Sequence, residues 1–172
     1  GRAPVGHADG GPPAPIDLAS VDRIFLVAAG KAARPMLEAA ETILAGRLTA
    51  GVGVTAARGQ TDRTTLYAGG HPLPDPGSLM ACRHVARLLA DTTARDLVIV
   101  LLSGGASAML EQPAGRLALA DLAAATGTLL ACGAPIDAVN AVRKHLSAIK
   151  GGGLLRLAGP ARVLTLALSD VV

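Results

Sequence analysis

The feature that most constrains the fold of this chain is an apolar segment that ends in a glycine-rich loop, over residues 96–110. Residues 97–102 are six apolar residues without polar alternation, a pattern typical of a strand that helices cover on both faces. The next five residues, Ser103-Gly-Gly-Ala-Ser107, allow a tight turn that brings backbone N–H groups close to a ligand. Since ligands gather at the carboxyl ends of strands in open parallel sheets, this loop is a candidate phosphate-binding loop. An ordinary β–α turn made of small residues explains the same sequence equally well.

Apolar runs elsewhere predict an α/β chain. They predict strands over residues 23–28, 51–55, 64–68 and 161–168, and helices over residues 32–44, 78–90, 119–132 and 154–157. The strand sequences leave no solvent face, so the sheet is predicted to be largely parallel with helices on both faces. Residues 1–20 are rich in glycine and proline, and we expect a flexible or wrapped-on leader there, ahead of one domain over residues 21–172.

The composition favours some classes of protein over others. The 172 residues include one Phe, one Tyr and no Trp, so the core has to be aliphatic. A net charge of +3 on scattered basic residues argues against nucleic-acid binding, which requires a concentrated basic face with stacking aromatics. We expect no membrane span, because no apolar run reaches about 18 residues. Cys82 and Cys132 have no metal-like spacing and are expected to be reduced, which suits the cytoplasm.

Lys31 lies where the first predicted strand meets the first predicted helix, directly after Gly30. A lysine at such a turn is either a solvated surface residue or a point charge placed over a phosphate beside a helix N-terminus. The sequence alone leaves both interpretations open.

His71 and Asp75 lie in a Gly/Pro-rich loop over residues 69–77. Its prolines restrict the backbone, which suits a binding loop and a stiff connection equally. We expect residues 71–75 to converge with residues 29–31 and 103–107 in one concave region at the carboxyl ends of the strands.

The densest basic cluster of the sequence precedes three consecutive glycines at residues 151–153. It comprises Arg143, Lys144, His145 and Lys150. Since neighbours on a helix lie three or four residues apart, residues 143–145 point in different directions, and at most one or two can share a ligand. The cluster is therefore either one edge of an anion site or a solvated face. The last predicted strand also ends in polar residues, Ser169 and Asp170.

Five motifs occur in order along the chain. They are Ala29-Gly-Lys-Ala-Ala33, Gly70-His-Pro-Leu-Pro-Asp75, Leu102-Ser-Gly-Gly-Ala-Ser-Ala108, Asn140-Ala-Val-Arg-Lys-His-Leu-Ser147 with Ile149-Lys-Gly-Gly152, and Leu168-Ser-Asp-Val171. In this order they resemble the amino-terminal part of the bacterial glycerate 2-kinases, a family often mislabelled as hydroxypyruvate reductases. The resemblance covers everything except the leader.

The resemblance implies a Rossmann-like domain and transfer of the γ-phosphoryl group of ATP to the 2-hydroxyl of D-glycerate, with Mg²⁺. Positioning and charge neutralisation dominate such chemistry. Lys31 is then the candidate for stabilising phosphoryl charge, and the metal ligands stay unknown. Candidates for binding substrate or phosphate are Gly30, His71, Asp75, Ser103, Gly104, Gly105, Ser107, Asn140, Arg143, Lys144, Lys150 and Asp170.

Family members normally continue beyond the last motif into a second domain, whereas this sequence stops at Val172. The resemblance thus implies a fragment with half of the catalytic cleft. Whether the isolated chain is active stays open. Its oligomeric state also stays open, and a homo-oligomer is one possibility. An NAD(P)H-dependent hydroxypyruvate reductase would carry Gly-x-Gly-x-x-Gly after the first strand, where this chain has Ala28-Ala-Gly-Lys-Ala-Ala33. A non-catalytic binding module is the other alternative.

Overall fold

The computed structural model describes residues 15–169 and contains one six-stranded sheet. Its strands are β1 Ile24–Ala29, β2 Leu48–Thr55, β3 Gly59–Gln60, β4 Thr64–Ala68, β5 Leu97–Leu102 and β6 Arg162–Ala167, in the order β3-β4-β2-β1-β5-β6. All neighbouring pairs are parallel except β3 with β4. The predicted α/β fold with a mostly parallel sheet is confirmed, and residues 97–102 form β5, which lies between β1 and the edge strand β6.

Six helices accompany the sheet in the described part of the chain. They are α1 Ala33–Leu44, α2 Pro76–Leu89, α3 Ala106–Met109, α4 Leu119–Ala131, α5 Ile136–His145 and α6 Gly153–Leu157. Helix α2 begins two residues earlier than predicted, because proline is tolerated in a first helical turn and Asp75 caps the helix. Of the predicted leader, residues 1–14 lie outside the described residues, and Leu18–Ser20 forms a 3-10 turn.

Alternation along β1 shows that helices cover both faces of the sheet. Phe25 and Val27 pack in the same cluster as Ala81 and Val85 of α2. The intervening Leu26 and Ala28 pack with Leu37 of α1 in a second cluster on the opposite face. All six residues of β1 are buried, which accounts for the absence of polar alternation in its sequence.

The sequence prediction was wrong at both edges of the sheet. Strand β6 forms one edge of the described sheet, and Leu166 in it is 50% exposed, although its apolar sequence predicted burial on both faces. At the other edge, β3 forms between the predicted strands over residues 51–55 and 64–68, where no strand was predicted, and it pairs with β4 in the antiparallel direction. The sequence of β6 therefore identified a strand of the sheet but not its position at an edge, and the two-residue strand β3 was not identified.

An ion pair holds together the amino ends of the neighbouring strands β1 and β5. Arg23 Nε and Nη2 donate to the two carboxylate oxygens of Asp96 at 2.9 and 2.7 Å, and Thr93 adds two further hydrogen bonds. The Arg23 guanidinium holds the pKa of Asp96 well below its ordinary value, at about 2. These contacts lie at the amino ends of the strands. The candidate site lies at the opposite edge of the sheet, at the carboxyl ends.

Candidate functional site

The loops that follow β1 and β5 are locked together by backbone hydrogen bonds. Lys31 N donates to Gly104 O at 2.9 Å, and Ser103 N donates to Ala29 O at 3.0 Å. The Ser103 hydroxyl accepts from Ala32 N at 3.1 Å, so it joins the two loops rather than pointing freely toward a ligand. These contacts follow from the neighbouring positions of β1 and β5 in the sheet, because parallel neighbours end at the same edge.

Gly30 makes this approach possible. Its φ is +122°, and a β-carbon there would lie 2.3 Å from Ser103 Oγ and 2.5 Å from Ser103 O. Any other residue would therefore force the two loops apart. The Ala29-Gly-Lys motif is explained first by packing between two loops.

The loop after β4 reaches the same place. A β-carbon at Gly105 would lie 3.0 Å from His71 Cδ2, and one at Gly69 would lie 2.5 Å from Met109 O. Residues 29–31, 71–75 and 103–107 thus meet at the carboxyl ends of the strands, as predicted. The cleft at this edge is lined by Ala29 and residues 103–107 and not by Lys31 or residues 71–75, so a single concave region shared by all three segments stays a prediction. The binding roles of these residues stay predictions.

Asp75 caps the amino end of α2. Its carboxylate accepts from Ser78 N at 2.9 Å, and the Ser78 hydroxyl accepts from Asp75 N at 3.2 Å, which makes a capping box at the start of α2. Burial acts to raise the pKa of Asp75, but backbone and hydroxyl hydrogen bonds outweigh it, so this pKa lies below its ordinary value. The neighbouring His71 is exposed.

The side chain of Lys31 is exposed at the turn between β1 and α1. Within residues 15–169, no carboxylate forms an ion pair with its ammonium group. Its charge is therefore available to a ligand, although a solvated surface lysine would look the same.

A cleft of about 600 Å³ opens at the carboxyl ends of β1, β5 and β6. Its lining is mostly apolar and includes Leu102, Leu110, Ile149 and Leu154, together with the backbone of residues 103–107. Among the described lining residues, Lys150 carries the only charge. The cleft therefore offers apolar walls, small-residue backbone and one cation to a ligand.

Two members of the basic cluster lie at or beside the cleft: Lys150 lines it, and Arg143 lines a neighbouring cavity. Arg143 Nη2 donates to the hydroxyl and the carbonyl oxygen of Ser107 at 3.3 and 3.4 Å, and Arg143 also contacts Asn140. Lys150 lines the cleft, whereas Lys144 is exposed beside Gly151. Arg143 and Lys144 thus point in different directions, as helical spacing predicted, and their sharing of a ligand stays a prediction.

Sequence reasoning missed Glu111, a buried carboxylate that forms an ion pair with the Lys150 ammonium. Burial lowers the pKa of Lys150, although Glu111 acts in the opposite direction. The only sequence signal was an acidic residue directly after the buried Met109 and Leu110. Thirty-nine residues separate the two partners, so no local pattern could pair them.

Three further expectations concern a metal site, a membrane span and the state of the two cysteines. Asp170 lies outside the described residues, and the described chain contains no cluster of three or more His, Cys, Asp or Glu side chains suited to a metal ion. None of the helices within residues 15–169 combines the length and apolar character that a bilayer crossing requires. Cys82 and Cys132 are unpaired, and burial raises the pKa of the Cys82 thiol to about 11.

Fold and cleft together define an α/β protein of the Rossmann-like class with a ligand cleft at the carboxyl edge of its sheet. Residues 6–172 match the family model described as domain of unknown function DUF4147, and the chain belongs to this family.

Relatives with names are similar to this chain over most of its length. It is 40% identical over 156 residues to the D-glycerate 2-kinase of Thermotoga maritima, and this alignment covers 89% of this chain and 37% of that protein. It is 37% identical over 152 residues to the glycerate 2-kinase of Pyrococcus horikoshii, covering 87% and 34%. A relative from Agrobacterium vitis that carries a provisional hydroxypyruvate reductase name is 43% identical over 151 residues. That alignment covers 87% of this chain and 39% of the relative.

Solved structures agree with these similarities. The crystal structure of a glycerate kinase from Thermotoga maritima matches with a TM-score of 0.83 at 40% identity, over 89% of this chain and 38% of that one. A protein from Pyrococcus horikoshii OT3 matches with a TM-score of 0.82 at 36% identity, over 88% and 34%. The chain thus spans less than two fifths of the length of these relatives.

Proposed function

We propose that this chain forms the phosphoryl-transfer half of a D-glycerate 2-kinase, which transfers the γ-phosphoryl group of ATP to the 2-hydroxyl of D-glycerate. The names of the relatives support this reaction, and one structural observation carries the proposal. Within residues 15–169, the adjacent N–H groups of Gly104 and Gly105 donate to no other group of the protein. Both residues line the cleft, and Gly105 has a φ of +87°. Successive free N–H groups in such a turn form a concavity that suits an anion.

Phosphoryl transfer depends on positive charge and donors placed around the negative oxygens of the transferred group. In the proposed arrangement, the N–H groups of Gly104 and Gly105 bind phosphate oxygens, and Lys31 stabilises the charge that develops during transfer. Lys150 and Arg143 bind a second anionic group, such as the carboxylate of glycerate. The mostly apolar walls of the cleft limit access of water, which strengthens each of these electrostatic contacts.

Mg²⁺, when bound to ATP, would neutralise charge on the β- and γ-phosphates. Asp75 and Glu111 do not fit the role of its ligands, because Asp75 caps α2 and Glu111 binds Lys150. The unpaired Cys82 and Cys132 are compatible with the reducing cytoplasm that we propose as its location.

The test uses the protein expressed from its complete reading frame with ATP and D-glycerate, and enolase as the coupling enzyme. Because enolase consumes 2-phosphoglycerate and not the 3-phospho isomer, formation of phosphoenolpyruvate reports both phosphoryl transfer and its position. We expect product only when ATP and D-glycerate are both present. Parallel reactions with NADH and hydroxypyruvate test the reductase alternative. Oxidation of NADH without ATP-dependent product would favour the reductase, and inactivity in both assays would favour a binding module.

A further inference from the structure

The ion pair between Glu111 and Lys150 lies in the wall of the cleft, and its two side chains differ in exposure. The Glu111 side chain is 1% exposed, whereas that of Lys150 is 17% exposed and lines the cleft. The carboxylate is therefore almost wholly buried, and of the two partners only Lys150 lines the cleft. Such a pair can present one positive charge to a ligand from a fixed position.

The carboxylate of Glu111 is fully engaged. Its Oε1 accepts from Gln112 N at 2.9 Å and from the Ser147 hydroxyl, and its Oε2 accepts from Lys150 Nζ. An ammonium group has three donors, and Lys150 gives one of them to a partner within the described chain. Two donors remain for an anion in the cleft.

The same carboxylate also fixes the backbone that carries Lys150. The Ser147 hydroxyl that donates to Glu111 accepts from Ile149 N and Lys150 N, each at 3.3 Å. Residues 112 and 148 are joined by a backbone hydrogen bond of 2.7 Å. Glu111 thus restrains the lysine at both its backbone and its ammonium end.

Packing alone does not require these charges. A buried ion pair gives little net stability compared with apolar residues of similar volume, because both groups lose their hydration. The surrounding wall is apolar, with Leu110, Ile149 and Leu154 on either side. A charged pair in that setting is better explained by ligand binding than by folding.

We propose that Glu111 is a positioning residue, which holds the Lys150 ammonium in the cleft wall so that it binds an anionic oxygen group of a substrate. The inference rests on the proposed function for the identity of the substrate. A phosphate of ATP and the carboxylate of glycerate share the required chemistry. The KM for each substrate, measured separately, identifies which of them Lys150 contacts.

The experiment compares Glu111→Gln, Lys150→Met and the double variant in the complete enzyme, with Glu38→Gln on α1 as the control. Glutamine keeps the shape of Glu111 and removes its charge. We expect Glu111→Gln to raise the KM for one substrate about tenfold, the scale of one lost ionic restraint, with a smaller effect on kcat. The double variant should have the same KM as Lys150→Met, because Glu111 acts only through the lysine. Glu38 is an exposed carboxylate on another face, so Glu38→Gln should keep both KM values.

A purely structural role predicts a different pattern. Glu111→Gln would then lower the melting temperature and the amount of active enzyme, while KM for both substrates stays at the wild-type value, and this result would overturn the proposal. If Glu111→Gln does not fold, the double variant decides the question, since it leaves no unpaired buried charge. A double variant with wild-type KM for both substrates would also refute the proposal.

A second readout separates this inference from the proposed function. Lysine labelled with ¹³C at the ε position allows the Lys150 resonance to be followed by NMR while inorganic phosphate is added. We expect phosphate to shift this resonance in the wild type, and Glu111→Gln to need about tenfold more phosphate for the same shift. Absence of kinase turnover with this NMR result would reject the glycerate kinase proposal and keep the positioning role. Equal phosphate dependence in wild type and Glu111→Gln would reject the positioning role in either case.

Discussion

Replacement of Gly30 by alanine tests the close contact between the loop after β1 and the loop after β5. The new β-carbon would lie 2.3 Å from Ser103 Oγ and 2.5 Å from Ser103 O, a backbone atom that cannot turn away. Alanine would also have to adopt a φ near +122°, which costs about 1–3 kcal/mol for a residue with a side chain. Overpacking of a close contact adds about 1–3 kcal/mol. The two costs add to about 2–6 kcal/mol, a large part of the total stability of an ordinary domain.

Urea denaturation followed by circular dichroism measures this loss, with Gly46→Ala as the matched control. Gly46 lies in an exposed 3-10 turn, and a β-carbon there would meet no atom within 4 Å. We expect Gly30→Ala to lower the free energy of unfolding by about 2 kcal/mol or more, and Gly46→Ala to change it by less than about 0.5 kcal/mol. Equal unfolding midpoints for the two variants would mean that the loops after β1 and β5 do not approach as described.

Three further predictions address stability away from this contact. Gly127→Ala, at an exposed position inside α4 with no atom within 4 Å of the new β-carbon, should raise the free energy of unfolding by about 0.5–1 kcal/mol, and a loss in urea denaturation would contradict the helical assignment. Asp75→Ala removes the cap of α2 and should lower the thermal midpoint at a cost of about 1 kcal/mol, so an unchanged midpoint would count against the capping box. Because the pKa of Asp96 is depressed in the folded state, its contribution to stability is present above the ordinary pKa of 3.8 and is lost as the pH falls toward about 2. Asp96→Asn should therefore flatten the acid side of the stability profile, and a variant with the same acid transition as the wild type would refute this assignment.

The sequence was most informative where one physical cause dominates. Residues 97–102 are apolar throughout because helices cover both faces of β5, and that pattern alone located the strand. Strand β6 has the same kind of sequence at an edge of the described sheet, with Leu166 half exposed. Periodicity reports the chemistry of side chains and does not report which neighbour covers them, so the two strands could not be distinguished.

The candidate site was predictable in its position and less so in its contacts. The rule that parallel strands end at one edge brought the loops after β1 and β5 together correctly, as the bond from Lys31 N to Gly104 O shows. The rule gave no indication that the Ser103 hydroxyl would bind Ala32 N. It also could not find Glu111, whose pairing with Lys150 depends on the packing of segments far apart in the sequence.

The central claim is that the carboxyl edge of this sheet performs phosphoryl transfer, and the kinetics of Lys31→Ala in the complete enzyme test it most directly. Arg87→Ala serves as the control, because it removes an equal charge from an exposed position in the last turn of α2, where the chain returns to the amino ends of the strands. We expect Lys31→Ala to lower kcat with ATP and D-glycerate by roughly a hundredfold or more, the scale for loss of one preorganised electrostatic group. Its melting temperature should stay at the wild-type value, since the side chain is exposed, and Lys31→Arg should restore the rate only in part. A folded Lys31→Ala enzyme with the turnover of Arg87→Ala and the wild type would show that Lys31 is a surface residue and that transfer depends on other groups.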